Sequence, residues 1–99
     1  MKQGEIWELY LNPTKGSEQS GRRPAVIISG NMLNTYSQVV IVCQLTTSIK
    51  NYKGNLNIKP NENNGLEKIS EVLTFHVRSV SKTRLDKKIG KIPLKDVEV

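Results

Sequence analysis

The chain has 99 residues, enough for one domain around one modest core and too few for a cofactor domain joined to a substrate domain. Fifteen Lys and Arg against nine acidic residues give a net charge of +6, which suits a polyanionic or acidic partner. A single Cys excludes an internal disulfide framework or a Cys-based zinc cluster, and a single His excludes a two-histidine acid–base pair.

One Ala stands against nine Val, nine Ile and six Thr, a composition that favours strands over helices. The first strand is expected at Glu5–Leu11, with Trp7, Leu9 and Leu11 on one face. A polar stretch from Asn12 to Arg22 follows and closes at Pro24. Ala25–Ser29 and Val39–Leu45 are apolar without alternation, as strands covered on both faces are. Asn31–Ser37 between them reads as a loop with at most one helical turn. Asn55–Lys59 alternates, turning Leu56 and Ile58 inward and Asn57 outward. Ile69–Val80 holds two short strands or one bent one, and Lys87–Ile92 is a weak last strand. After Pro93, LKDVEV reads as the first turn of a helix that is incomplete or a frayed tail. Residues 1–99 therefore form a single, mainly β domain with minor short helices. A small, partly open antiparallel barrel is its natural closure, because it hides strand edges.

No apolar run approaches the ~18 residues of a membrane span. The opening MKQGEIWELY also lacks the layout of a secretory signal, so a reduced, cytoplasmic setting is expected.

Chemistry concentrates in NPTKGSEQSGRRP, residues 12–24, which is longer than an ordinary hairpin loop. Its Lys15, Ser17, Glu18, Gln19, Arg22 and Arg23 are groups that hold phosphate, offset developing negative charge and move protons. The same residues also suit a plain polar surface loop. Thr46, Thr47 and Ser48 end the central strand, where hydroxyls either meet phosphate oxygens or satisfy turn backbone. Alternation places His76 on the face opposite Phe75 and Val77, as a sheet-surface or interface residue rather than a catalytic base. Cys43, inside VVIVCQL, reads as a small buried hydrophobe. The basic residues from Arg78 to Lys95 form either a solvated face or an electrostatic track for nucleic acid. No spacing of His, Asp or Glu has metal-ligand geometry, and no cofactor is expected.

The segments Gly4-Glu5-Ile6-Trp7, Asn12 to Gln19 (NPTKGSEQ) and Gly21 to Ser29 (GRRPAVIIS) closely resemble the N-terminal signature of MazF/PemK-type toxins. These are the mRNA-cleaving members of type II toxin–antitoxin pairs. Leu45-Thr46-Thr47, Val77-Arg78-Ser79-Val80 and Arg84-Leu85 extend the similarity over about residues 4 to 92. The resemblance implies an SH3-like PemK/CcdB-type barrel, normally a homodimer, that cuts single-stranded RNA without metal by attack of the ribose 2′-OH.

Carried over by position, Arg23, immediately before Pro24, would hold the scissile phosphate. Thr46 would hydrogen-bond the same phosphate or orient the 2′-OH, and Glu18 would be the proton-transfer partner. Lys15, Ser17, Gln19, Arg22, Thr47, His76 and Arg78 would bind RNA. Many members carry Gln where this chain has His76, so a base or dimer contact would differ here. Relatives continue beyond the position of Val99 into a helix. The family also implies an antitoxin whose acidic tail folds across a basic toxin. The competing reading is a binding module: a CcdB-type toxin that traps DNA gyrase, or a truncated form that binds RNA or antitoxin without cleaving.

Overall fold

The computed structural model describes residues 1–10, 22–51 and 56–93. Among them are β1 (Glu5–Tyr10), β2 (Arg22–Ile27), α1 (Asn31–Tyr36), β3 (Val39–Thr46), β4 (Leu56–Ile58), β5 (Ser70–Ser81) and β6 (Leu85–Lys91). A 3-10 turn, Lys82–Arg84, links β5 to β6, with the Ser81 hydroxyl accepting from Thr83 N. The strands form one sheet in the order β4-β5-β3-β2-β1-β6, every neighbouring pair antiparallel. It curls into the half-barrel that the β-rich sequence led us to expect.

Alternation divides the core between the two faces of this sheet. Ile6, Val26, Cys43, Leu45, Ile58, Val72 and Ile92 pack together on one face. Leu9, Ala25, Ile27, Val40, Val42, Val80 and Leu85 pack on the other, with Trp7 against them. Two-sided burial explains why β2 and β3 read as apolar runs rather than as alternating strands. Ile6, Ile27, Val40 and Val42 are fully buried, each worth about 1.5–3 kcal/mol of transfer free energy. Cys43 is buried as expected, and burial pushes its thiol pKa up.

Several boundaries differ from the sequence reading. β2 starts at Arg22 rather than Ala25, because β1 supplies partners from Tyr10↔Arg22 to Ile6↔Val26 and so carries the strand through Pro24. It stops before Ser29, whose hydroxyl bonds Asn34 Oδ1 and accepts from Ile41 N. Asn34 also donates to Ser29 O at 2.9 Å, and this buried pair anchors the six-residue α1 where one turn was expected. The segment expected at Ile69–Val80 is one long strand with an irregularity. The Leu45↔Val72 and Cys43↔Val77 pairs set five steps of β5 against two of β3. The surplus interrupts the regular register there, and Phe75, His76 and Val77 are all exposed, His76 at the sheet surface. Leu11 and the C-terminal LKDVEV lie outside the described residues.

The segment between β4 and β5 is folded around Asn64, which is fully buried, and Lys91 N on β6 donates to Asn63 O at 3.0 Å. The Asn64 side chain donates to Lys59 O at 2.9 Å and accepts from Asn61 N at 3.2 Å and Leu66 N at 3.0 Å. Gly90 lies so close that a Cβ there would sit 2.3 Å from the Asn64 carbonyl carbon. At the start of β1, Glu5 accepts from Trp7 Nε1 at 2.9 Å and Lys2 N at 3.1 Å, and pairs with Lys88 Nζ at 3.1 Å. Burial acts to raise the Glu5 pKa, but these three partners outweigh it and hold the carboxyl below its ordinary value.

Candidate functional site

β2 and β3 pair from Ala25↔Gln44 through Ile27↔Val42. The ladder ends beside Pro24, which has no N–H to extend it. Continuing the register two residues beyond Ala25↔Gln44 brings Arg23 level with Thr46. Both lie on the face of Ala25, Ile27 and Val42, since strand residues two apart share a face. Arg23 is exposed and Thr46 half-buried. The core therefore gives way here to a guanidinium and a hydroxyl, beyond the last recorded β2–β3 pair.

Thr46 is set for donation by its own turn. Its Oγ1 accepts from Ser48 N at 3.1 Å, which occupies a lone pair and leaves the O–H to donate outward. An arginine fork and a hydroxyl donor at one strand end can hold an anionic tetrahedral group and offset charge on its oxygens.

Two further residues, unmarked by the sequence motifs, complete a polar row across the sheet. Thr46 pairs with Glu71 on β5, and Glu71 pairs with Asn57 on β4. Glu71 is fully buried and accepts from Lys50 N at 2.8 Å. Asn57 Nδ2 donates to Asn51 Oδ1 at 3.0 Å, and Asn51 has a left-handed φ of 57°. The acid inside the strand segment ISEVL, between Ile69 and Val72, was the one sequence signal that could have pointed to Glu71.

The other sequence-predicted residues divide into three groups. Lys15, Ser17, Glu18 and Gln19 lie outside the described residues. Arg22 faces away from Arg23 by alternation; its Nε lies 2.7 Å from Asp86 Oδ2 and its guanidinium 6.0 Å from the Tyr10 ring centroid. Thr47 lines a cleft of about 510 Å3 with Glu8, Pro24, Glu67, Lys68, Lys87 and Lys88. His76 stands exposed at the β5 irregularity, its ring edge-on to Phe75 with centroids 4.5 Å apart, and Arg78 is exposed opposite Val42. Among the described residues, no group of three His, Cys, Asp or Glu could hold a metal ion, and no helix is long and apolar enough to cross a membrane.

Residues 2–99 match the family model described as PemK-like, MazF-like toxin of type II toxin–antitoxin system. The chain belongs to this PemK/MazF family. Over 90 residues it is 36% identical to a protein named Endoribonuclease MazF from Staphylococcus saprophyticus subsp. saprophyticus, covering 90% of this chain and 75% of that one. A protein of the same name from Staphylococcus epidermidis is 34% identical with the same coverage. A crystal structure of MazE–MazF from Deinococcus radiodurans is similar at TM-score 0.77 and 26% identity, spanning 99% of this chain and 88% of the other. The PemK/MazF match agrees with the motif reading, and it does not favour the CcdB-type alternative.

Proposed function

We propose that this PemK/MazF toxin is a metal-independent, sequence-specific endoribonuclease acting on single-stranded mRNA. The observation that carries the reading is the β2–β3 register, which, continued two residues past Ala25↔Gln44, supports Arg23 and Thr46 as neighbours on one face. In this reading Arg23 grips the scissile phosphate through its fork, and the Thr46 hydroxyl donates to a non-bridging oxygen. The ribose 2′-oxygen attacks phosphorus and gives up its proton, the P–O5′ bond breaks, and the departing 5′-oxygen takes a proton. The products are a 2′,3′-cyclic phosphate and a 5′-hydroxyl. Alignment and anion stabilisation supply much of the rate, since the nucleophile belongs to the substrate.

Glu18 is the proton-transfer partner in this scheme. Lys15, Ser17, Gln19, Thr47, His76 and Arg78 bind RNA, and Arg22 does so from its pairing with Asp86. The names of the Staphylococcus relatives support endoribonuclease activity, and the net charge of +6 supports a polyanionic substrate.

The partner is an antitoxin with an acidic segment, supported by the MazE–MazF complex and by the same charge. A homodimer of single-domain protomers, working in the cytoplasm, completes the reading. Exposed Met32, Leu33, Tyr36 and Val39, clustered on α1 and the start of β3, support a second copy as their cover. The test is cleavage of a long mixed-sequence RNA by the wild type beside folded Arg23→Ala and Thr46→Ala proteins. Discrete cuts at one short motif, lost in both variants, are expected. Intact RNA with wild-type protein, or undiminished cutting by both variants, would overturn the reading.

A further inference from the structure

A fully buried carboxylate in a chain this small calls for a physical reason. Taking a carboxyl group out of water is unfavourable unless hydrogen bonds satisfy it. Glu71 is buried to 0% exposure, so it cannot touch a substrate. Its Oε1 instead accepts the Lys50 N–H at 2.8 Å. The bond falls in the turn that leaves β3 immediately after Thr46, and Glu71 is the register partner of Thr46 itself.

The turn is pinned at three points by one row of side chains. Thr46 Oγ1 holds Ser48 N, Glu71 Oε1 holds Lys50 N, and Asn57 Nδ2 holds the Asn51 side chain. The three residues stand side by side on β3, β5 and β4. Of the three bonds, the one to Glu71 has its acceptor fully buried, away from competing water, which makes it the strongest. Losing it frees the Lys50 N–H and lets the 47–51 segment move. Ser48 N then leaves Thr46 Oγ1, and the hydroxyl loses its fixed rotamer.

We propose that Glu71 is a positioning residue for the ribonuclease step: it fixes the 46–51 turn and so the direction in which the Thr46 O–H meets the phosphate. The proposal rests on the catalytic role given to Thr46 above. It is distinct from RNA binding, because Glu71 is out of reach of any ligand. The effect therefore falls on kcat, whereas RNA affinity stays within about twofold. A misplacement of about 1 Å costs about 100-fold in a reaction that depends on alignment.

The test uses Glu71→Met, which fills similar space without an acceptor, and Glu71→Gln, which keeps Oε1. Thermal melts confirm folding of both. Binding is read with an RNA carrying a 2′-deoxy substitution at the cut site, which cannot react. Glu71→Met is expected to lose about 10- to 100-fold in kcat with unchanged binding, and Glu71→Gln to recover most of that loss. Thr46→Ala combined with Glu71→Met is expected to be no slower than Thr46→Ala alone, because both remove the same contact. A folded Glu71→Met protein with wild-type kcat, weakened binding as its main defect, or additive losses in the double variant would each overturn the proposal. A fully active Thr46→Ala protein would overturn the site reading as well, which separates the two failures.

Discussion

Replacing Asn64 with Ala removes three hydrogen bonds at once from a fully buried side chain. Lys59 O loses its donor, and Asn61 N and Leu66 N lose their acceptor. Each such bond contributes about 0.5–1.5 kcal/mol net, and a buried group left unpaired costs about 1–3 kcal/mol. The expected destabilisation is about 2–4 kcal/mol, a large share of the roughly 5–15 kcal/mol that holds such a domain. With a urea slope of about 2 kcal/mol per molar, the unfolding midpoint should fall by about 1–2 M. Asn63→Ala is the neighbouring control: Asn63 is exposed, and its carbonyl bond from Lys91 N survives the change. It should shift stability by less than about 0.5 kcal/mol. If Asn64→Ala unfolded at the same urea concentration as Asn63→Ala, the assignment of Asn64 as the hub of this segment would be wrong.

Arg23→Lys keeps the charge and loses the fork; kcat should fall about 10- to 100-fold at unchanged melting temperature, and full activity would argue against a bidentate phosphate grip. Because the Glu5 pKa is lowered on folding, its contribution to stability is present above the ordinary value of 4.5 and is lost as pH falls through the lowered folded value. Urea midpoints of wild type and Glu5→Gln should therefore differ at neutral pH and converge in acid; a constant gap would contradict this. Gly90→Ala forces a Cβ against the Asn64 backbone and should lower stability by about 1–3 kcal/mol, read by the same urea titration. Arg78→Ala should weaken RNA binding and flatten its salt dependence by about 0.7 in log–log slope; an unchanged slope would remove Arg78 from the phosphate contacts.

Much of the fold was legible because strands announce themselves by composition and spacing. β1, β3 and β4 lie where Trp7 and Leu9, the VVIVCQL run, and Leu56 with Ile58 place them. The extension of β2 back to Arg22 was not legible, because it depends on pairing with β1, a tertiary fact with no local signal. The surplus in β5 was equally hidden. Alternation gave His76 as a surface residue, but the register shift against β3 and its edge-on contact with Phe75 had no local signal.

Arg23 and Thr46 were named from their motifs, but their common face follows from the β2–β3 register. Glu71 and Asn57 went unmarked because their roles come from cross-strand partners and from the turn they hold. Sequence spacing carries neither. Arg22 and Arg23 look equivalent in the sequence, yet alternation sends them to opposite faces and commits Arg22 to Asp86.

The most direct test of the central claim is the chemistry of the new RNA ends. The purified protein is incubated with an RNA in excess chelator, beside the same RNA carrying a single 2′-deoxy substitution at the cut site. Cleavage in chelator to 2′,3′-cyclic phosphate and 5′-hydroxyl ends, abolished by that one substitution, is the expected result. A requirement for metal, 5′-phosphate ends, or cutting of the deoxy-substituted strand would contradict attack by the 2′-oxygen at Arg23 and Thr46.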